Sequence, residues 1–261
     1  MSDADAPAPV ALMRLMLAGG TAEDVIARLR SDPPSARRDA MLALAEESLD
    51  GLRALERMVA AGADHARMDS VGAARAMFDR LVALSQEASV AAYSLGDPAL
   101  LARATGEVVD WLRGLGLLAG RPAVLDLGCG IGRFLGALDA DAKFVVGVEV
   151  SEAMARAAQA RVPGAMVVRG AGRDLAMLRD AAFDLVLAVD VFPYLVSAGL
   201  AEGHVREAAR VLRAGGSLVV LNWSYGEGEV EEVARRAGFE VRVSGVRPFG
   251  GWDGVGYVLR R

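Results

Sequence analysis

Across residues 10–118 apolar side chains recur every three or four positions and strand-like alternation is scarce, the pattern of amphipathic helices. Thr21 followed by Asp24 predicts a capping box for a helix running through Leu29, which Asp32-Pro33-Pro34 ends. Residues 35–61 read as one longer helix stopping at Gly62, a further helix begins near Asp69 or Ser70, and another follows Asp97-Pro98, where proline suits the first turn. Past Gly120-Arg121-Pro122 the texture changes to short apolar runs with helices between them, at 123–127, 144–148, 165–168, 183–189, 217–221, 239–243 and 256–259. Seven such runs predict an α/β fold, a doubly wound, mainly parallel sheet behind an N-terminal all-helical domain. The closing pair, 239–246 and 254–261, is separated by Arg-Pro-Phe-Gly-Gly-Trp-Asp-Gly and reads as an antiparallel hairpin. The expected domains are 1–100, helical, and 101–261, carrying the sheet.

Composition narrows the function classes. With 261 residues, 53% of them apolar, the chain has material for a sizeable core in one large domain or two small ones. A formal net charge of -5 gives no basic field, which disfavours duplex DNA or RNA and suits a small, uncharged or cationic partner. Cys129 is the single cysteine, so an intramolecular disulfide is excluded, and His65 and His204 stand far apart, so no metal site is expected. The opening Met-Ser-Asp-Ala-Asp-Ala-Pro-Ala-Pro lacks the positive region of a secretory signal, and Arg14, Asp184 and Asp190 break the longest apolar stretches before they reach bilayer length. The expected location is therefore cytoplasmic, away from membranes. The alanine-rich N-terminal helices offer a seam for a homodimer.

The chemistry is concentrated at residues 124–134, Val-Leu-Asp-Leu-Gly-Cys-Gly-Ile-Gly-Arg-Phe, where an apolar strand leads through Asp126 into Gly128, Gly130 and Gly132. The next strand ends at Glu149. Glycines let the backbone approach a ligand, and an acid at the following strand tip can accept hydrogen bonds from ribose hydroxyls, so the pair points to a nucleoside cofactor. Arg133 stands where the Gly-x-Gly-x-x-Gly of dinucleotide binders needs glycine, and no Gly-Lys-Ser or Gly-Lys-Thr follows. A bare turn with no ligand would spend the conformational freedom of three glycines without a packing return.

Gly128-x-Gly130-x-Gly132, with Asp126 before it and Glu149 beyond, resembles motif I of the class I S-adenosylmethionine-dependent methyltransferases. The resemblance covers residues from about 100 to 261, closing hairpin included. It implies that Gly128 and Gly130, with Cys129 and Gly132 in the same loop, face the methionyl part of the cofactor, that Asp126 orients the loop or the amino group, and that Glu149 holds both ribose hydroxyls beside Val150. Met154 is placed against adenine or in the core, and Cys129 in packing. The family commonly writes Gly-Asp-Ala-x-Asp-Leu after the third strand; here Gly170-Ala171-Gly172-Arg173-Asp174-Leu175 leaves adenine to Gly172, Arg173 or Asp174.

The fourth strand resembles the family's Phe-Asp-x-Val and ends at Val189 and Asp190, so the acceptor is expected there, near Asp190, Phe192 and Tyr194. Pro193-Tyr194 echoes part of the Asn-Pro-Pro-Tyr signature of amino-directed methyltransferases. Trp223 and Tyr225 either wall the acceptor pocket or pack on the next helix. A base for a hydroxyl acceptor would be Tyr194, Asp190 or His204, in that order of expected nearness, His204 being expected in solvent on a helix over 200–212. Phe192 or Tyr194 could face the sulfonium as a cation–π partner. In related small-molecule methyltransferases an N-terminal helical segment covers the cleft, and residues 78–98 are the expected lid here. The resemblance thus implies methyl transfer from S-adenosylmethionine to an N or O nucleophile of a small metabolite, with secondary metabolism as the expected setting. Two alternatives stand beside it, a protein that binds S-adenosylmethionine without turnover and an NAD(P)-dependent oxidoreductase.

Overall fold

The computed structural model describes residues 6–63, 69–224 and 230–261, and divides the chain into two compact units. The first consists of Met1–Asp64, Met77–Glu107 and Phe249–Asp253, the second of His65–Ala76, Val108–Pro248 and Gly254–Arg261. No described helix is long and apolar enough to cross a membrane.

The helices are α1 (Ala8–Leu17), α2 (Ala22–Ser31), α3 (Ala36–Glu47), α4 (Leu49–Ala60), α5 (Val71–Leu84), α6 (Gln86–Val90) and α7 (Pro98–Gly114), all ahead of the first strand. The capping box at α2 is formed as the sequence implies: Thr21 Oγ1 accepts from the Asp24 amide at 3.0 Å and Asp24 Oδ2 from the Thr21 amide at 3.4 Å. Asp97 Oδ1 takes the amides of Ala99 and Leu100, at 2.6 and 3.2 Å, and starts α7 at Pro98. The single helix expected over 35–61 is two helices. Ser48 leaves helical geometry at φ -101° and ψ 21°, closing α3 and opening α4 without a side-chain cap.

Leu12, Met16, Leu52, Leu55, Met58 and Leu81 form the fully buried centre of the first unit. Its third segment is not a plain hairpin turn. Trp252 stacks on Tyr93 with ring centroids 5.0 Å apart and on Phe249 at 4.9 Å, Asp253 pairs with Arg14 at 2.8 Å, and Glu107 accepts the Gly251 amide at 3.2 Å.

The second unit holds a seven-stranded sheet in the order β3-β2-β1-β4-β5-β7-β6. Its strands are β1 (Ala123–Leu127), β2 (Phe144–Glu149), β3 (Met166–Arg169), β4 (Phe183–Val189), β5 (Leu212–Leu221), β6 (Glu240–Val246) and β7 (Gly256–Arg260). β1 to β5 pair in parallel, and β7 lies antiparallel to both β5 and β6. β1 is buried throughout and β4 nearly so, as parallel strands covered on both faces must be. The connections carry α8 (Arg133–Ala137), α9 (Glu152–Arg161), α10 (Phe192–Ser197), α11 (Ala201–Val211) and α12 (Val230–Arg236). Chain order reverses between β1 and β4, which places a crevice at the carboxyl ends of these two strands.

Candidate cofactor and active site

The loop between β1 and α8 is shaped by backbone alone. Gly128, Gly130 and Gly132 have φ of 73°, 52° and 77°, the left-handed region that side chains disfavour. The Gly128 and Cys129 amides both donate to Val148 O, at 2.8 and 3.1 Å, which folds the loop back over β2. A methyl on Gly128 would lie 2.7 Å from Val191 Cγ2, and one on Gly132 3.0 Å from Ala158 Cβ. Gly128→Ala combines that clash with an unfavourable φ, so it is expected to cost about 2–4 kcal/mol of stability, read as a lowered denaturation midpoint. Cys129 Sγ packs on the bare backbone of Gly147, where a methyl would come within 2.6 Å of it. Burial pushes its thiol well above the usual range, with Asp126 and Glu149 adding to the effect, so Cys129 is a neutral packing group.

Glu149, at the tip of β2, is buried and held by three backbone donors. Its Oε1 accepts from the Val150 and Ser151 amides at 2.7 and 2.8 Å, its Oε2 from Gly130 at 2.9 Å. The carboxylate therefore ties the glycine loop to the start of α9, whose first turn Ser151 Oγ caps through the Met154 amide at 3.1 Å. Met154 itself is buried.

Asp126 is buried at the end of β1, with no hydrogen-bond partner for Oδ2. Burial pushes its carboxyl up to about 7; Arg133 opposes the rise and Glu149 reinforces it. An unsatisfied acid at the mouth of a glycine loop is a ready acceptor for an ammonium group.

Asp190 follows β4 and Asn222 follows β5, and both adopt left-handed backbone, φ 58° and 61°. Asn222 Nδ2 donates to Asp190 Oδ1 at 2.6 Å, while Asn222 Oδ1 accepts the Val255 amide at 2.9 Å. Arg133 Nη2 stands 3.8 Å from Asp190 Oδ2, and the Arg133 guanidinium lies 4.7 Å over the Phe134 ring. Non-glycine residues in this conformation gather where structure serves a site.

The structure thus brings Asp126, the three glycines, Glu149, Val150, Val189 and Asp190 to the carboxyl edge of β1, β2 and β4. Gly172 joins them: at φ 73° it passes so near Val150 and Val71 that a methyl on it would fall 2.7 Å from one Cγ1 and 2.6 Å from the other. Arg173 and Asp174 are exposed, and Asp174 Oδ1 is occupied by the Ala176 amide at 3.1 Å. Tyr194 is half-buried in the first turns of α10.

Two expectations are corrected. Phe192 is fully buried and stacks on buried Trp223 at 4.7 Å, both inside the sheet's apolar core, so Phe192 has no open face for a sulfonium. His204 is buried rather than in solvent; its Nδ1 lies 3.1 Å from Leu200 O, and burial holds the ring below its usual value, hence neutral. Tyr225 and His65 lie outside the described residues. Sequence reasoning missed Val71, Arg133 and Asn222. Only Arg133 carried a signal, as the residue that broke the dinucleotide pattern. Among the described residues no cluster of potential ligands could hold a metal ion.

Fold and site together define a doubly wound domain with a crevice lined by glycine backbone at the carboxyl ends of β1 and β4. Residues 125–220 match the family model described as "Methyltransferase domain". Among solved structures the fold is similar to a S-adenosylmethionine dependent methyltransferase from Mesorhizobium loti, with a TM-score of 0.51 and 18% identity over 59% of this chain and 98% of that one. It is also similar to a SAM dependent methyltransferase from Aquifex aeolicus, with a TM-score of 0.50 and 19% identity over 63% of this chain and 93% of that one. No curated protein matches the sequence significantly. A methyltransferase domain model thus matches residues 125–220, on a fold similar to that of solved S-adenosylmethionine-dependent methyltransferases. The donor set is compatible with S-adenosylmethionine: were it bound, the orphaned Asp126 oxygen would be available to its amino group, the bare loop backbone to its methionyl part, Glu149 to its ribose and the surface of Val150, Gly172 and Val71 to its adenine.

Proposed function

We propose that the methyl acceptor is a nitrogen or oxygen nucleophile of a small molecule, held at the edge formed by the ends of β4 and β5. The observation that carries this reading is Asp190, a carboxylate kept in left-handed backbone beside the glycine loop by Asn222 and Arg133. A fixed carboxylate can accept an N–H or O–H from the acceptor, orient its lone pair, and receive the proton that transfer releases. The net charge of -5 supports a small molecule over a nucleic acid. When bound, S-adenosylmethionine supplies the methyl group as an electrophile. The protein's own contribution is then position and proton acceptance, with Asp190 first and half-buried Tyr194 second.

Incubation with methyl-labelled S-adenosylmethionine and a fractionated metabolite extract should place label in a low-mass product. Label confined to protein or nucleic acid would refute the proposal. Asparagine tolerates left-handed backbone, so Asp190→Asn tests the carboxylate and spares the fold. Its expected effect is a loss of about a hundredfold or more in kcat, with little change in the denaturation midpoint.

A further inference from the structure

The segment between β3 and β4 is tied down at both ends. At its start the Gly170 amide donates to Glu149 O at 2.9 Å, so the chain leaves β3 beside the strand tip that carries Glu149. At its far end it is gripped by Arg210, in the last turn of α11. All five N–H donors of that guanidinium are used. Nε and Nη2 donate to Glu207 Oε1 and Oε2 at 2.9 and 2.8 Å, Nη2 also to Leu175 O at 2.8 Å, and Nη1 to Leu178 O at 2.9 Å and Asp180 Oδ1 at 2.6 Å. Glu207 Oε2 accepts the Leu175 amide at 3.0 Å as well, and the Ala181 and Ala182 amides donate to Arg210 O and Val211 O at 3.0 and 2.8 Å. Leu175 itself is buried in the core of the sheet.

Residues 171–174 are what remains between the two anchors. Ala171, Arg173 and Asp174 are exposed, while Gly172 is half-buried against Val150 and Val71. Ala171 and Gly172 have no polar side chain, and Asp174 Oδ1 already accepts the Ala176 amide at 3.1 Å. The polar groups that this stretch sets beside Val150 are therefore those of the main chain.

We propose that Arg210 is a positioning residue for adenine recognition: together with Glu207 it fixes the backbone of residues 171–174, whose N–H and C=O groups read the polar edge of the ring. The inference rests on the placement of adenine against Val150 and Gly172 and adds the device that holds that wall in place. A planar guanidinium clasped by a carboxylate through two parallel bonds is rigid, so the loop takes its position from α11. A wall fixed before the ligand arrives needs no ordering on binding.

The probes are S-adenosylhomocysteine and S-inosylhomocysteine, in which the exchange of adenine for hypoxanthine reverses donor and acceptor along that edge. A fixed backbone that satisfies one pattern leaves the other unpaired. Calorimetry on the unaltered protein should favour the adenosyl compound about tenfold or more. Arg210→Lys keeps the charge but has three donors and no plane, and it should bring the preference to within about threefold. Amide hydrogen exchange should quicken at Leu175, Ala181 and Ala182 in the variant and stay the same at Gly128 and Cys129. A general loss of stability lowers the folded fraction for both compounds alike and leaves their ratio untouched.

An unchanged ratio in Arg210→Lys, with or without faster exchange, would overturn the role of Arg210 and leave the adenine placement standing. Equal binding of the two compounds by the unaltered protein, or binding of neither, would sink the placement and the proposal with it. If Arg210→Lys fails to fold, as judged by circular dichroism, Glu207→Gln, which keeps the side-chain length and loses the paired contact, decides by the same ratio.

Discussion

Asp126→Asn is expected to make the protein without cofactor more stable above pH 7 while weakening its hold on S-adenosylmethionine about a hundredfold. The two effects have one cause. Buried without a partner for Oδ2, the Asp126 carboxyl is pushed up to about 7 from an ordinary 3.8, so between these values the folded chain binds a proton that the unfolded chain has released. Stability contributed by that proton is full below about pH 4, declines as pH rises, and is gone above about 7. The displacement corresponds to as much as about 4 kcal/mol. Asparagine does not titrate, so the variant should lose the decline, and its midpoint of unfolding at pH 8 should exceed that of the unaltered protein. The ionised acid is nevertheless what a cationic amino group needs, and a charge-assisted hydrogen bond of about 1.5–3 kcal/mol is lost with it. Thermal scans at about pH 5 and 8, with calorimetric titration of the cofactor, check both halves. A variant whose stability falls with pH as steeply as before would show that another group is responsible.

Glu149→Gln should act in the opposite direction on stability. The carboxylate receives three amides, two on Oε1 and one on Oε2, and it has no hydrogen to present to any of them. Glutamine offers one carbonyl and one NH2 group. Whichever way it turns, the Gly130 amide or the Val150 and Ser151 amides face a donor. Each buried donor left unsatisfied costs about 1–3 kcal/mol, and the charge assistance of the remainder is also lost. The expected result is a melting midpoint lower by about 5–10 °C, together with cofactor affinity reduced at least about a hundredfold because the loop and the proposed ribose partner are disturbed at once. An unchanged midpoint would mean that these amides find other acceptors.

Two acids one strand apart are thus alike in composition and opposite in energetic character. One is stabilised by its surroundings; the other is held in spite of them. That difference was not legible in the sequence, which shows Asp126 and Glu149 as equivalent strand-end carboxylates. It depends on whether backbone amides happen to converge on each side chain.

Much of the fold was legible because it is written in local pattern. Apolar runs located the strands, and the Thr21-Asp24 and Asp97-Pro98 signals located two helix starts. β5 was expected at 217–221 but begins at Leu212: Phe183 pairs with Leu212 and Leu185 with Ser217, so Arg213-Ala214-Gly215-Gly216 does make the turn its residues suggest, a bulge with Gly215 at φ 77° that distant partners pin within the strand. Arg213 bonds Asp184 at 2.7 Å and Ala182 O at 2.9 Å, and the Gly215 amide bonds Arg261 O at 2.9 Å. His204 carried an overlooked signal: it shares the buried stripe of Ala201, Val205, Ala208 and Val211 on α11, the side that turns inward. In the site, the glycine loop and Glu149 were legible as motif, whereas the alliance of Arg133, Asp190 and Asn222 joins residues 57 and 32 positions apart and only the folded sheet brings them together.

The membership of Phe249–Asp253 in the helical unit bears on how the chain is made. Tyr93 is synthesised long before Trp252, the ring it stacks on, and Arg14 waits still longer for Asp253. On the ribosome the first unit therefore cannot complete itself and leave the second to follow; both reach their final contacts only when nearly all of the polypeptide has emerged. A fragment cut near residue 100 would carry most of the N-terminal helices and still want its last aromatic layer.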